Sequence, residues 1–553
     1  MSGRPEQAAR ERSPGAPVAR ETFETATLTA VRAALVGGVR GVRLVPGRPT
    51  CFEEHFLDTR DHRFHRAGLS LVTRDLGGGF EVALVPHRLV ATPLASIPGS
   101  PISMARLNGG SLDDTPPPLA RPIRALRGTR RLHELFALET THEDWVVWEG
   151  DRWIAAVTLV DARAIRPRGA DGLRLHRVEV RARAESARGS HPFLEELQRR
   201  GGLTSTTATP YEAARLALGL PEPCRLPTEP PALRPDQSAA DAALAILRTQ
   251  FARVLENEPG TRLGLDVEAL HRMRVAVRRM RVAMSMHRAN LSPRLLGLRA
   301  ELSWLGGELG RARDLDVQRE SLDAWRAKRP PAEAHVLAPL EARFAEHRRT
   351  AQAELLEALD SDRFRHLVRR VRRALLAPPA DDTTTRSAIA PVALALVRKR
   401  WKKFLRAGRA LRPTSPAADY HRVRILAKRL RYCLEFHAPV LGPDAAIWIA
   451  HARRVQDTLG AGQDAEVFLD RLRTLADDSP DWPARTADAI DLWRDSLERV
   501  AVKSRRRFAA AFRAPSRVRW KRVATSLRHP GGADAARPQT PPEPPARPGK
   551  DRT

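Results

Sequence analysis

The sequence predicts a multidomain α+β protein, with a mixed strand-and-helix region first and an all-helical region after it. Three observations support this. The chain has 553 residues, enough for two or three domains that each bury a core, and 42% of them are hydrophobic. Runs with strand-like alternation are confined to the first 220 or so residues. Beyond that point the chain is rich in Ala, Leu and Arg at helical spacing, and it repeats itself.

Residues 1–20 are polar, charged and Pro-containing, so they read as a disordered N terminus without the apolar core of an export signal. Residues 21–220 hold the first domain. Val146-Val147-Trp148 and Trp153 to Val160 read as two strands joined at Glu149-Gly150-Asp151, and Arg174 to Arg183 alternates around Val178 and Val180. Residues 221–236, PEPCRLPTEPPALRPD, read as a Pro-rich linker. The helical domain spans 237–515, in two halves at about 237–380 and 386–515. Residues 516–553 are basic and then Pro-rich, and read as a disordered tail.

The halves are defined by an internal repeat. His271-Arg272-Met273-Arg274 recurs 150 residues later as His421-Arg422-Val423-Arg424. The same offset pairs Arg279 with Arg429, Arg281 with Arg431, His287 with His437, Pro293 with Pro443, Leu309-Gly310 with Leu459-Gly460, and Asp314 with Asp464. One register held without a gap over some forty residues implies duplication, with one helical bundle per half and a pseudo-twofold axis between them.

Within each half one helix carries a basic stripe. At 100° per residue, His271, Arg274, Arg278 and Arg281 fall within an arc of about 80°. Met273, Val277, Met280 and Met284 take the opposite side and face the core. His421, Arg424, Lys428 and Arg431 repeat the stripe, and Val423, Ala427 and Leu430 the core face. Neither eleven-residue segment contains an acid, so the like charges on adjacent turns repel one another. Guanidinium forks match phosphate oxygens in geometry as well as charge. The bland alternative is a solvated face neutralised by a neighbouring helix. His271 and His421 open their helices at matching positions and suit a hydrogen-bonding or phosphate-contacting role, with a titration near neutral pH. Asp314 with Asp316, and Asp464 with Glu466, allow two readings. Either they hold a divalent metal, or, since Leu-Gly before them signals a helix end, they cap the next helix or pair with a stripe Arg.

The charge balance narrows the partner. There are 94 Lys and Arg against 65 Asp and Glu, a net charge of +29, which calls for an anionic partner. Only eight of the 94 are Lys. Nucleic acid is the competing polyanion, but aromatics are 5% of the chain and no stacking platform, helix-turn-helix or zinc knuckle is evident. The three cysteines, Cys51, Cys224 and Cys433, have no metal-ligand spacing and fit a reducing cytosol. No apolar run approaches the roughly 18–20 residues a bilayer span needs, so a soluble intracellular protein is expected.

These residues resemble the CHAD family, an α-helical domain with a characteristic histidine. The resemblance runs through His271 to Arg281, Leu309-Gly310 with Arg313-Asp314-Leu315-Asp316, His421 to Arg431 with Tyr432 and Glu435, and Gln456-Asp457-Thr458-Leu459-Gly460 with Asp464. It covers roughly 237–515. It implies two pseudo-symmetric four-helix bundles around a basic groove that binds inorganic polyphosphate, with association to polyphosphate granules in bacteria and no catalysis or cofactor. The candidate polyphosphate-binding residues are His271, Arg272, Arg274, Arg278, Arg279, Arg281 and Arg313, then Lys399, Arg400, Lys402 and Lys403 from a nearby basic run, then His421, Arg422, Arg424, Lys428, Arg429 and Arg431.

Residues 21–220 resemble a decayed CYTH domain, a β-tunnel that handles triphosphates with metal ions. Phe56-Leu57-Asp58-Thr59, Arg66-Ala67-Gly68-Leu69, Val178-Glu179-Val180 and Tyr211-Glu212 match its strands, turn and last helix. The departures are larger. The opening Glu-x-Glu-x-Lys strand is missing, and Glu21 and Glu24 cannot share one strand face. Leu71-Val72-Thr73-Arg74 keeps one arginine of Leu-Arg-x-Arg, Ala83 stands where a tunnel lysine belongs, and Thr209-Pro210 replaces Ser-Lys. This domain is expected not to turn over triphosphate. A metal-dependent triphosphatase or cyclase is the alternative.

Overall fold

The computed structural model describes residues 18–39, 41–75, 80–87, 103–107, 115, 117–166, 173–183, 192–220, 227–330, 335–377, 387–478 and 482–513. The N terminus expected to be disordered lies outside them up to residue 17, as do residues 221–226 of the expected linker, with Cys224, and the expected tail from 516.

The first domain is built on one antiparallel sheet. Its strands are β1 (Val18–Glu24), β2 (Arg43–Pro46), β3 (Thr50–Thr59), β4 (Leu69–Asp75), β5 (Phe80–Pro86), β6 (Ser103–Leu107), β7 (Leu132–Glu149), β8 (Arg152–Arg166), β9 (Arg174–Arg183) and β10 (Thr204–Ser205). They run in the order β10-β1-β9-β8-β7-β3-β4-β5-β6, with β2 added on β7. The hairpin expected at Glu149-Gly150-Asp151 is present, and Gly150 takes the left-handed conformation (φ 57°) that its turn requires. β1 begins at Val18, three residues inside the segment expected to be disordered, because its backbone pairs with β9 through Val18↔Arg183.

The two faces of this sheet differ, as period-2 alternation demands. Helices α1 (Thr29–Val36) and α4 (Pro192–Gly201) cover one face, where Trp145, Val147, Val157, Leu159, Val178 and Val180 meet Val31, Leu35, Phe193 and Leu197. The other face carries an apolar patch of Phe56, Val72, Phe136, Leu138 and Ala162 against Tyr211 of α5 (Pro210–Ala217). Two further helices, α2 (Arg63–Arg66) and α3 (Pro117–Arg127), share a core with the sheet, where Phe64, Ile123 and Leu126 join Leu71 and Leu84. The turn into α2 is organised by Asp58, whose carboxylate accepts from the backbone N–H of Thr59, Phe64 and His65 at 2.7, 3.0 and 3.0 Å.

The helical domain consists of α6 (Ala239–Leu263), α7 (Val267–Met286), a single turn α8 (Pro293–Leu296), α9 (Arg299–Arg326), α10 (Ala338–Asp360), α11 (Asp362–Leu376), α12 (Ile389–Ala410), α13 (Ala417–Leu441), α14 (Ala445–Asp478) and α15 (Ala484–Phe512). The 150-residue register sets the first two helices of each half: α6 and α12 start at 239 and 389, α7 and α13 at 267 and 417, while α9 and α14, like α10 and α15, start 146 residues apart. Four long helices of each half are therefore copies of the other four. The expected linker proves part of this body over its second half. Leu233 is buried in the helical core, and the carbonyls of Thr228, Glu229 and Pro235 accept from Arg253, Thr249 and Ala390. Its prolines shape an ordered segment whose carbonyls find donors on α6 and α12.

A residue can touch its own copy only on the axis that relates the two halves. Four such contacts mark that axis. Ser238 bridges Ala388, with Ala239 N–H donating to Ser387 and Ile389 N–H to Gln237 at 2.8 Å each. His287 Nε2 lies 3.2 Å from His437 Nε2. Thr486 Oγ1 donates to the Val336 carbonyl at 2.8 Å, and Asp314 and Asp464 lie close enough for one to raise the other's pKa. The cores of the halves merge accordingly: one apolar cluster runs from Leu233 to Phe508, and a second joins Leu340 and Phe344 to Phe468 and Trp493.

The two domains dock through a buried ionic knot. Arg262 is wholly buried, with Nε on Glu258 (2.9 Å) and Nη1 on Asp360 (2.8 Å). From the first domain Arg66 reaches Glu258 at 2.6 Å and Arg63 reaches Asp360 at 3.4 Å. Burial alone would raise the Glu258 pKa, but Arg66, Arg262 and Arg63 together hold it far below the usual carboxylate range. Removing one partner of such a knot leaves charge buried and unpaired. Glu258→Ala should lower stability by about 3–5 kcal/mol in urea denaturation, and a loss under 1 kcal/mol, the scale of an exposed pair, would contradict this account of the interface.

Candidate functional site

The two stripes meet on the pseudo-twofold axis. Met273, Val277, Met280 and Met284 of α7 are buried, as are Val423, Ala427 and Leu430 of α13, so these core faces stand as expected. Buried positions wrap well round α7, to Leu270 and Ala276, and the stripe therefore flanks the core rather than opposing it. Its cations are half-buried as a result, apart from Arg281, which is exposed. Within this crowded strip Lys428 is surrounded by Arg278, Arg424 and Arg274, with Asp464 as counter-charge. Arg278 and Lys428 are copies of one another across the repeat. Burial first, and then those three guanidinium groups, push the Lys428 ammonium down to about 7. Burial, then Arg313, also lowers His271.

The carboxylates behave as stripe partners. Asp314 pairs with Arg274 and Asp464 with Arg424, both at 3.3 Å. Asp316 turns away to Arg348 at 2.6 Å, and Glu466 to Arg505 at 2.5 Å. The members of each expected carboxylate pair thus diverge to separate arginines, and among the described residues no group of three or more His, Cys, Asp or Glu is placed to hold a metal. The helix end expected after Leu309-Gly310 and Leu459-Gly460 is not there: α9 and α14 run straight through. The glycines serve the stripe instead. A Cβ on Gly310 would lie 3.8 Å from the Arg274 guanidinium, and one on Gly460 3.7 Å from that of Arg424, so any longer side chain would occupy the guanidinium's place.

Not every expected residue joins this centre. Arg279 lies over the Tyr432 and Phe436 rings at 4.9 and 4.7 Å, pairs with Glu435 and bonds Gln250, which makes it a strut between the halves. Arg431 also pairs with Glu435, at 2.7 Å, and with Gln456 at 3.0 Å. Part of the stripe is therefore neutralised by neighbouring carboxylates, as the bland alternative held. Arg272 pairs with Asp266 and Asn257. Arg313 is largely buried on Glu320 at 2.8 Å. Arg422 and Arg429 are exposed, as are Lys399, Lys402 and Lys403 on α12, none of which takes part in the pairs described above. Arg400 donates to the Leu396 carbonyl, and its charge helps depress His287 and His437.

Three features were missed in the sequence. Arg278 donates to the Tyr432 hydroxyl at 3.0 Å, across the axis. His421 Nδ1 bonds the Gln463 amide oxygen, and Gln463 is the copy of Arg313; a neutral amide standing where the first half has a cation was the signal. His287 and His437, which the sequence showed only as copies in the repeat, meet each other. His437 Nδ1 donates to the Cys433 carbonyl at 2.7 Å, which leaves its Nε2 to accept from His287. Burial pushes the pair down to about 3 and 4.

In the first domain the polar face of the sheet is largely self-satisfied. Glu54 accepts from Arg74 Nε at 2.8 Å and from Thr140 at 2.9 Å. Glu179 stands between Thr22 on β1 and Thr158 on β8, so no carboxylate faces it across either ladder. Thr209 caps α5 by accepting from the Glu212 N–H at 3.4 Å.

The CHAD domain family matches residues 245–473. Among solved structures, the CHAD domain from the plant Ricinus communis is 27% identical, with a TM-score of 0.44, over 53% of this chain and 98% of that one. PptA from Streptomyces chartreusis is 21% identical, with a TM-score of 0.42, over 50% and 100%. A protein assigned as an adenylate cyclase from Bacillus halodurans is 12% identical, with a TM-score of 0.22, over 34% and 92%. No curated protein matches. No helix among the described residues is long and apolar enough to cross a membrane.

The crowding of Lys428 has a measurable cost. With its pKa held down to about 7 in the fold and at the ordinary lysine value in the unfolded chain, the destabilisation is full below pH 7 and fades as pH rises toward 10. Lys428→Met should therefore raise the melting temperature, by more at pH 6 than at pH 9. An equal rise at both pH values would contradict the crowding.

Proposed function

We propose that this chain, which carries a CHAD domain over residues 245–473, binds inorganic polyphosphate across the axis between its two helical halves. The observation that carries the reading is the meeting of Arg274, Arg278, Arg424 and Lys428 around only two carboxylates, Asp314 and Asp464. Like charges held that close repel, and a linear polyanion relieves the repulsion by supplying one phosphate after another. His271 and His421 flank the centre with ring nitrogens that can donate to phosphate oxygens. Arg281, Arg422 and Arg429, and beyond them Lys399, Lys402 and Lys403, are exposed and extend the contacts available to a long chain. Glu435 holds Arg279 and Arg431 in place, and those two act by shaping the groove. Association with polyphosphate granules follows from the same binding.

The first domain is read as non-catalytic. Glu179 faces threonines on both neighbouring strands, and Glu54 is engaged by Arg74 and Thr140, which supports that reading.

Polyphosphate binding should weaken steeply with salt, as counterion release requires. Arg274→Glu with Arg278→Glu, and Arg424→Glu with Lys428→Glu, should each weaken it by at least about tenfold, roughly 1.4 kcal/mol, with circular dichroism unchanged. Affinity should also depend on pH through Lys428. Bound phosphate raises its pKa, so binding is strongest below about 7 and declines as pH rises above it. Lys428→Arg should flatten that decline. Fluorescence titration measures all three, and parent-like binding by both double variants would end the reading. The purified protein should not hydrolyse ATP or tripolyphosphate with Mg²⁺ or Mn²⁺. Phosphate release that Glu179→Gln abolishes would restore an enzymatic role.

A further inference from the structure

We infer that the cleft between the two domains is a second anion site, built for a short oligophosphate rather than for the polymer. The cleft has a volume of about 320 Å³, within the range of small-ligand sites, and is walled by Arg63, Arg66 and Arg130 of the first domain and by Arg365, Arg369 and Arg372 of α11. An adjoining cleft of about 480 Å³ shares Asp61 and Arg130 with it and adds Arg60 and Arg131.

The balance of charge decides what this space can hold. Its two acids are already engaged: Glu258 by Arg66 and Arg262, and Asp61 by Arg63 at 3.2 Å and Arg130 at 3.7 Å. Among the described residues no ion pair joins Arg60, Arg131, Arg369 or Arg372. Arg365 has Asp362 for a partner, but that carboxylate is exposed. The 4-3 spacing of Arg365, Arg369 and Arg372 puts all three on one side of α11, facing the first domain. In addition, the Nε–H groups of Arg66 and Arg130, two of the residues that line the cleft, are buried with no acceptor.

A compact anion with several charges satisfies this arrangement. A triphosphate presents oxygens in many directions and can take bidentate forks from opposite walls at once. The ionic knot beneath the cleft holds those walls in register, so the site is preformed. Two sources share this chemistry, free inorganic tripolyphosphate and the triphosphate of a nucleotide.

The test uses the full chain and isothermal titration with tripolyphosphate and, separately, ATP, without metal. Three proteins are compared: the parent, the axial variant Arg278→Glu with Lys428→Glu, and the cleft variant Arg369→Glu with Arg372→Glu. Saturable tripolyphosphate binding should persist in the axial variant and fall at least tenfold in the cleft variant. Arg369→Gln with Arg372→Gln should lose part of it, which covers the case in which charge reversal disturbs the fold. Equal binding of ATP and tripolyphosphate assigns the site to the triphosphate itself, and tighter ATP binding assigns it to a nucleotide. Tripolyphosphate affinity within twofold of the parent in both cleft variants, or loss of all saturable binding in the axial variant, would overturn the proposal.

Discussion

The duplication places each half against its own copy, and on the axis between them every residue meets itself. Two carboxylates meet at Asp314 and Asp464, two histidines at His287 and His437, and two cations at Arg278 and Lys428. Self-meeting is harmless for apolar groups and for a backbone bridge such as Ser238 with Ala388. For charges it is costly, and the rest of the helical domain can be read as a response. Away from the cationic centre the conflict is removed: the histidines are buried neutral and share a hydrogen bond. At the centre it is softened by one carboxylate per half but left net positive.

The same contrast separates the structural arginines from those available to a ligand. Where an arginine must be buried for architecture, a carboxylate accompanies it, as Glu258 and Asp360 accompany Arg262, or Glu435 accompanies Arg279. Arg278 meets only the neutral hydroxyl of Tyr432, and Lys428 has no ion pair among the described residues. The large net charge of the chain therefore understates how unevenly the positive potential is distributed. On the sheet of the first domain, Arg74 with Glu54 and Arg174 with Asp161 are paired in the same way.

Much of this was readable in the sequence because duplication prints the same residues twice. The helix register, the core faces of α7 and α13 and the stripes all follow from the repeat and from helical periodicity. What escaped depended on contacts between segments far apart in the chain. Glycine after leucine looks like a helix end, and only the packing of Arg274 against Gly310 shows why it sits in mid-helix. By contrast, the pairing of Asp314 and Asp464 with stripe arginines was among the sequence readings, and the structure shows it. The Pro-rich stretch before α6 looks like a tether, yet its carbonyls find donors on α6 and α12, which local composition cannot reveal.

The central claim is that one polyanion crosses the axis and is held by both halves together. Calorimetric stoichiometry with a polyphosphate just long enough to span the two stripes, combined with a double-mutant cycle on Arg278→Gln and Lys428→Gln, tests it most directly. The account predicts one chain per protein and a coupling between the two substitutions well beyond additivity. Two chains per protein, with strictly additive effects, would mean that each half binds for itself and would contradict it.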